Sequence, residues 1–540
     1  MIGKRHAAAT LCVLLMWSLH PSFSAGAPAN SEEAGGRKKP WTAFKISKET
    51  TILTEPLRED GYVNYVAVLN EMTSEGVTPE NNAAIPFWKA VGPRPIKWDN
   101  REEFFNLLGI ERLPEDGKYF VDFWWHLHNT VDVEDDESGD VSDDVIDAHL
   151  DDFHNEAARR PWKGKEFPKI AEWIQANKKP LDILVAASRR TRFFSPICPE
   201  NGPSPSVPIL IIPELRDTAR ALSARAMLRL GEGNVDEAWT DLLACHRIAR
   251  LSGQGAILVD VMVEAAIEGM ALRCHETLLQ DGSLTAARIA QMRTDLKNLP
   301  PTRSLVERIK TAERYIFISM VAEINRSGVS LMDRMSFKAL LKGKSTYDKA
   351  ADWVLAAAID WEAVLRLGHA WYDRTEEALE KPTRAERHAA LRRIEQDLKK
   401  MEPPANATQL LSITFLGNSR EAASERFAER FVEVFMPAII QSDRREDRGK
   451  MHFRITELAF ALAEYRADNG SYPAKLADLR PKYVDNIPDD IFRDKPLTYE
   501  QKGNGYLLYS IGPNGVDENG RGEQDRGEED KWDDISVEVK

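Results

Sequence analysis

Residues 461–473 read ALAEYRADNGSYP, 487–499 IPDDIFRDKPLTY, 505–515 GYLLYSIGPNG and 533–539 DDISVEV. Upstream of the first, Ile455, Leu458, Ala459 and Leu462 form one apolar face at helical spacing. Asp468-Asn469-Gly470 brings the residue types that tolerate the left-handed conformation of a helix stop, and Pro473 fixes the exit. Leu497-Thr498-Tyr499 and Tyr506-Leu507-Leu508-Tyr509 read as strands joined across Lys502–Gly505, a turn with two glycines. Ile535, Val537 and Val539 alternate as a closing strand. These pieces predict one helix against a small antiparallel sheet, an α+β unit.

The succession of motifs resembles the globular domain of the major pseudopilins of type II secretion, over 441–540 alone. The resemblance implies a calcium site between the last two strands. There the loop Gly512–Asp534 holds nine carboxylates against Arg521, Arg526 and Lys531. Hard oxygen donors on a bendable, glycine-rich loop suit calcium, which accepts six to eight oxygens at flexible geometry. By position, the resemblance implicates the carbonyl of Ile511, the side chain of Asn514, and Asp533 or Asp534. Asp517 and Asn519 are further oxygen donors within reach. Asn514 stands where the family has aspartate, which removes one negative charge. In the family this domain directly follows a hydrophobic helix that assembles the filament. Here it follows the charged segment Ser442–Lys450 and more than 400 other residues, which argues against incorporation into a filament.

The other end reads as an export signal. Lys4 and Arg5 precede the apolar run Ala7–Leu19, and small residues follow at Ser22, Ser24, Ala25 and Ala27, the order of a cleavable leader. We expect a signal peptide over 1–24 and a flexible lead-in over 25–40. A mostly helical N-terminal lobe is expected over 41–208, an α-helical domain over 209–440, and the α+β domain over 441–540. After cleavage no segment is long enough to span a membrane. The formal charge of −14 argues against nucleic acid, whose footprint is basic. Cys12 falls in the leader. The remaining Cys198, Cys245 and Cys274 are odd in number and, in apolar surroundings, read as buried thiols.

In the body, Leu222, Ala226 and Leu230 recur at four-residue spacing, then Gly231 and Gly233, then Ala238, Trp239, Leu242 and Leu243. This predicts an antiparallel helical hairpin. Its turn, AMLRLGEGNVDEAW, resembles that of a tetratricopeptide repeat, with small Ala226 and Ala238 where the helices approach; no 34-residue recurrence accompanies it. Further helices are expected over Arg303–Ile324, Tyr347–Glu377, Arg384–Met401 and Arg420–Ile440, with Ser442–Lys450 a charged connector.

Two other constellations could carry chemistry. FWWHLHN, in the strand candidate Phe120–His128, would place His126 and His128 on one face, where two imidazoles could chelate a metal. Asp260, Glu264 and Glu268 recur every fourth residue, a stripe that fits paired-acid hydrolysis or a solvated helix face. No nucleophile elbow, phosphate loop, HExxH or dinucleotide fingerprint is present. The resulting expectation is a mainly α-helical body followed by a small α+β domain. Its role is that of an exported, non-catalytic binding or scaffold protein of the cell envelope, with an envelope protein as partner and calcium as ligand. The alternative is an exported hydrolase using the acidic helix residues or the His126/His128 pair.

Overall fold

A computed structural model describes residues 44–130, 143–198, 211–280, 284–327, 359–401, 420–525 and 530–540. The expected leader and lead-in lie outside them. The described residues within Met1–Met72 and Leu305–Gln441 form one compact unit. Those within Thr73–Cys198, Pro208–Ser304 and Ser442–Lys540 form the other. The chain is mainly helical, with a small antiparallel sheet at its C-terminus.

In the larger unit, helix α1 (Phe123–Thr130) replaces the expected strand over Phe120–His128. The signal for a helix is Asp122, whose Oδ1 accepts the Trp125 amide at 2.8 Å, an N-cap. The predicted hairpin is present as α2 (Ile211–Gly231) and α3 (Val235–Ser252). Gly233 takes φ +83° in the turn. Ala226 and Ala238 are fully buried, which lets the helices close on one another. Helix α4 (Leu258–Leu279) packs on this hairpin. Asp260 caps α4 by accepting the Ile257 amide at 2.9 Å. Helix α5 (Ala286–Lys297) starts at Thr285, whose Oγ1 accepts the Arg288 amide.

In the smaller unit, the helix expected over Arg303–Ile324 is divided by a π-helical turn, Ile309–Glu313. Trp361–Leu379 is capped by Asp360, and Arg384–Leu398 by a Thr383/Glu386 capping box. Gly368 lies flat against Phe317, where a Cβ would come within 2.2 Å of the ring.

Helix α6 runs from Arg420 to Asn469. Its residues up to Gln441 belong to the smaller unit and those from Ser442 to the larger. The expected charged connector, Ser442–Lys450, is therefore helical. Its charges are placed for a helix: Lys450 pairs with Glu446 at i,i+4, 2.5 Å apart. The apolar face is as read, with Ile455, Leu458, Ala459 and Leu462 all buried. Gly470, at φ +81°, ends α6 by donating to the Arg466 carbonyl at 2.7 Å.

Strands β1 (Asp489–Asp490) and β2 (Lys495–Pro496) form a short ribbon. Strands β3 (Thr498–Lys502), β4 (Gly505–Ser510) and β5 (Ile535–Val539) form an antiparallel sheet in that order. Tyr499 faces Leu508, and Ser510 faces Ile535. Ile535, Val537 and Val539 are buried, while Ser536 and Glu538 are half-buried. Tyr506 of the central strand packs edge-on against Tyr472, with ring centroids 4.8 Å apart. Cys198, Cys245 and Cys274 are buried free thiols.

Candidate metal centre

The connection from β4 to β5 begins at a clamp. Asp490, wholly buried, accepts the Ser510 hydroxyl at 2.8 Å and the Ile511 amide at 3.1 Å. Gly512 follows in the left-handed region at φ +67°, where a Cβ would lie 2.2 Å from the Asp533 carbonyl oxygen. Glycine is required here because the two ends of the loop cross in contact. Asn514 then ties the loop together. Its amide donates to Asp533 Oδ2 at 3.1 Å, and its side-chain nitrogen to Glu518 Oε1 at 2.7 Å and the Lys531 carbonyl at 3.3 Å.

At the far side the chain turns back through Asn519, at φ +60°, and Gly520, at φ +81°. That turn aims two backbone amides at Asp534 Oδ2, from Glu518 at 3.1 Å and from Gly520 at 2.8 Å. Arg448 of α6 holds the Asp533 carbonyl at 2.7 Å.

The outcome is a carboxylate triad. One oxygen each from Glu518, Asp533 and Asp534 lies within 4.8 Å of the others. Glu518 is 8% exposed and Asp534 1%. Glu518 Oε2 and Asp534 Oδ1 have no hydrogen-bond partner. Among the described residues no ion pair reaches either side chain. Arg521 is turned away: its guanidinium lies 4.2 Å from the centroid of the Trp532 ring, and its Nε donates to the Glu518 carbonyl. Arg526 lies outside the described residues. Burial, reinforced by the Glu518 carboxylate, pushes Asp534 up to about 7. Two buried carboxyl groups this close are costly unless a shared proton or a cation lies between them. The three oxygens are placed where they could hold a hard cation, and all-oxygen surroundings would suit calcium better than magnesium.

Of the residues implicated by sequence, Asp533 and Asp534 come together. Ile511 is at the strand exit, its amide held by Asp490. Asn514 acts as a lock, its side-chain oxygen taken by the Val516 amide at 2.6 Å. Asp517, exposed, accepts the Tyr509 hydroxyl and the Asn519 amide. Asn519, also exposed, serves the turn through its backbone. Glu518 was not read from the sequence. Its only signal is its place immediately before Asn519-Gly520, a pair able to turn the chain back on itself.

The two other constellations do not form as expected. On helix α1, His126 and His128 are about 200° apart around the axis, not on one face. His126 is buried, and His128 lies on the Trp124 ring, with centroids 3.6 Å apart. Glu264 and Glu268 face the interior rather than solvent or a cleft, and both pair with Arg250, at 3.1 and 3.2 Å. Asp260 is a cap. No family model, curated protein or solved structure matches this chain. Among the described residues no helix is long and apolar enough to cross a membrane.

Proposed function

We propose that this is an exported, non-catalytic binding or scaffold protein of the cell envelope whose pseudopilin-like C-terminal domain is locked by calcium. The observation that carries the reading is the triad of Glu518, Asp533 and Asp534, in which, among the described residues, no side-chain cation pairs with the buried Glu518 and Asp534. A cation there closes the loop on itself and holds the start of β5 against β4. The order of helix, ribbon and three-stranded sheet supports the pseudopilin resemblance, and the leader-like N-terminus supports export. The ion serves structure: the triad is enclosed by its own loop, and its oxygens are spent on the chain's closure.

The test is calorimetric titration of the full chain with calcium, together with melting curves in calcium and in chelator. Binding that is lost in Glu518→Gln and in Asp534→Asn, with the fold intact by circular dichroism, is the expected result. Absence of binding at millimolar calcium, at the weak end of natural sites, together with a melting curve indifferent to chelator, would overturn the calcium reading.

A further inference from the structure

The interior of the larger unit holds a second cluster of ionisable groups. His246 on α3 and His275 on α4 meet with their Nε2 atoms 2.7 Å apart and their rings stacked. That separation holds one proton, so one imidazole donates and the other accepts. His246 Nδ1 lies 3.1 Å from Glu268 Oε1. The same oxygen is 3.2 Å from Arg250 Nη2. His246 is 0% and His275 1% exposed, so no substrate reaches them. His275 Nδ1 has no hydrogen-bond partner. The pair is roofed by α6: Phe460 packs edge-on against His275, and Phe453 against His246.

We propose that this pair, with Glu268 and His452, is a pH-sensitive latch that seats residues 451–469 of α6, and the sheet beyond, on helices α3 and α4. In the closed state one proton fills the gap between His246 and His275, and Glu268 Oε1 stands 3.1 Å from the other nitrogen of His246. A further proton must go onto a buried imidazole, beside another that already donates or accepts across 2.7 Å.

The surrounding charges do not compensate it. From α3 the cluster is faced by Arg250. From α4 it is faced by Glu264 and Glu268, both taken by Arg250, and by Arg273 on the side of His452. From α6 come His452 and Arg448. Among the described residues no carboxylate pairs with His275, and its Nδ1 has no hydrogen-bond partner. Burial accordingly holds His275 well below the usual imidazole range, with His246 and His452 adding to the effect. Burial likewise pushes half-buried His452 down to about 4. When α6 lifts away, both rings reach water and take up protons. Because the closed state binds fewer protons than the open one, closure is favoured above the ordinary imidazole pKa and is lost as pH falls below it.

Hydrogen exchange of the full chain, at fixed calcium and corrected for intrinsic rates, tests this between neutral pH and pH 5. Peptides from 451–469 and from β4 and β5 are expected to open before those of α2. Their opening constant should rise about tenfold per pH unit for each proton taken up. His275→Phe keeps an aromatic ring and removes one titrating site, so this pH dependence should flatten by about tenfold per unit. His452→Gln, at the half-buried edge where folding is least at risk, should flatten it as well. Opening of α2 at the same pH as 451–469 would indicate general acid unfolding and overturn the latch. So would an unchanged slope in both variants.

Discussion

The acidic loop and the histidine cluster both bury ionisable side chains within one compact unit, but they balance charge differently. Around His246 and His275 the two buried carboxylates, Glu264 and Glu268, share one cation, Arg250. In the loop, Glu518 and Asp534 are as deeply buried, yet the nearby Arg521 stacks on Trp532 instead. The first region has a cation among its acids, although Glu268 Oε2 and His275 Nδ1 have no hydrogen-bond partner. In the second, no cation among the described residues pairs with Glu518 or Asp534, which is the opening the proposed calcium would fill. The contrast shows why burial of acids alone says little: the presence or absence of a partner separates a packed core from a ligand site.

The largest expected effect breaks the balanced side. Arg250→Met would leave Glu264 and Glu268 buried without their cation and should cost about 3–5 kcal/mol in denaturant unfolding. It should do so equally in calcium and in chelator. The unbalanced side should behave in the opposite way. Asp534→Asn is expected to leave the chelated protein as stable as before, or more so, because it removes a like-charge contact. It should abolish the gain from calcium, which at 100 times Kd amounts to about 2.7 kcal/mol. A large loss in chelator would mean that Asp534 has a counter-charge and that the comparison fails.

Asn514→Asp gives a smaller effect and sharpens the role of one residue. Sequence alone suggests that restoring a carboxylate here strengthens the ion site. In the structure the side-chain nitrogen of Asn514 donates to Glu518 and to Lys531, so aspartate would set oxygen against oxygen. The variant is expected to lose about 1 kcal/mol in chelator, measured by thermal unfolding, and to bind calcium no better than the parent. The smallest difference separates the ions. Magnesium, which demands stricter octahedral geometry and gives up water reluctantly, should raise the melting temperature less than calcium at equal concentration.

Much of the C-terminal helix and sheet was legible because its signals are local. Strand alternation at Ile535, Val537 and Val539, the Asn469-Gly470 stop, and the glycines between β3 and β4 each act within a few residues. The hairpin of α2 and α3 was legible through Ala226 and Ala238 for the same reason. FWWHLHN misled, because an aromatic-rich run fits a strand as well as a helix, and the decision lay one residue upstream in the Asp122 cap. Ser442–Lys450 misled because a charged run reads as a linker, whereas here its charges pair along a continuous helix.

What the sequence by itself determined is the list of elements and the acidic character of the loop, since periodicity, turn chemistry and charge density belong to neighbouring residues. Only the tertiary structure decided which carboxylates meet. Glu518 reaches Asp534 because Asn519 and Gly520 fold the chain back and Gly512 lets the loop's ends cross. His246 reaches His275, 29 positions away, because α3 and α4 are close-packed neighbours. In sequence each histidine merely follows a cysteine. Their contact depends on how two helices are set against one another, a relation between distant residues that no local pattern contains.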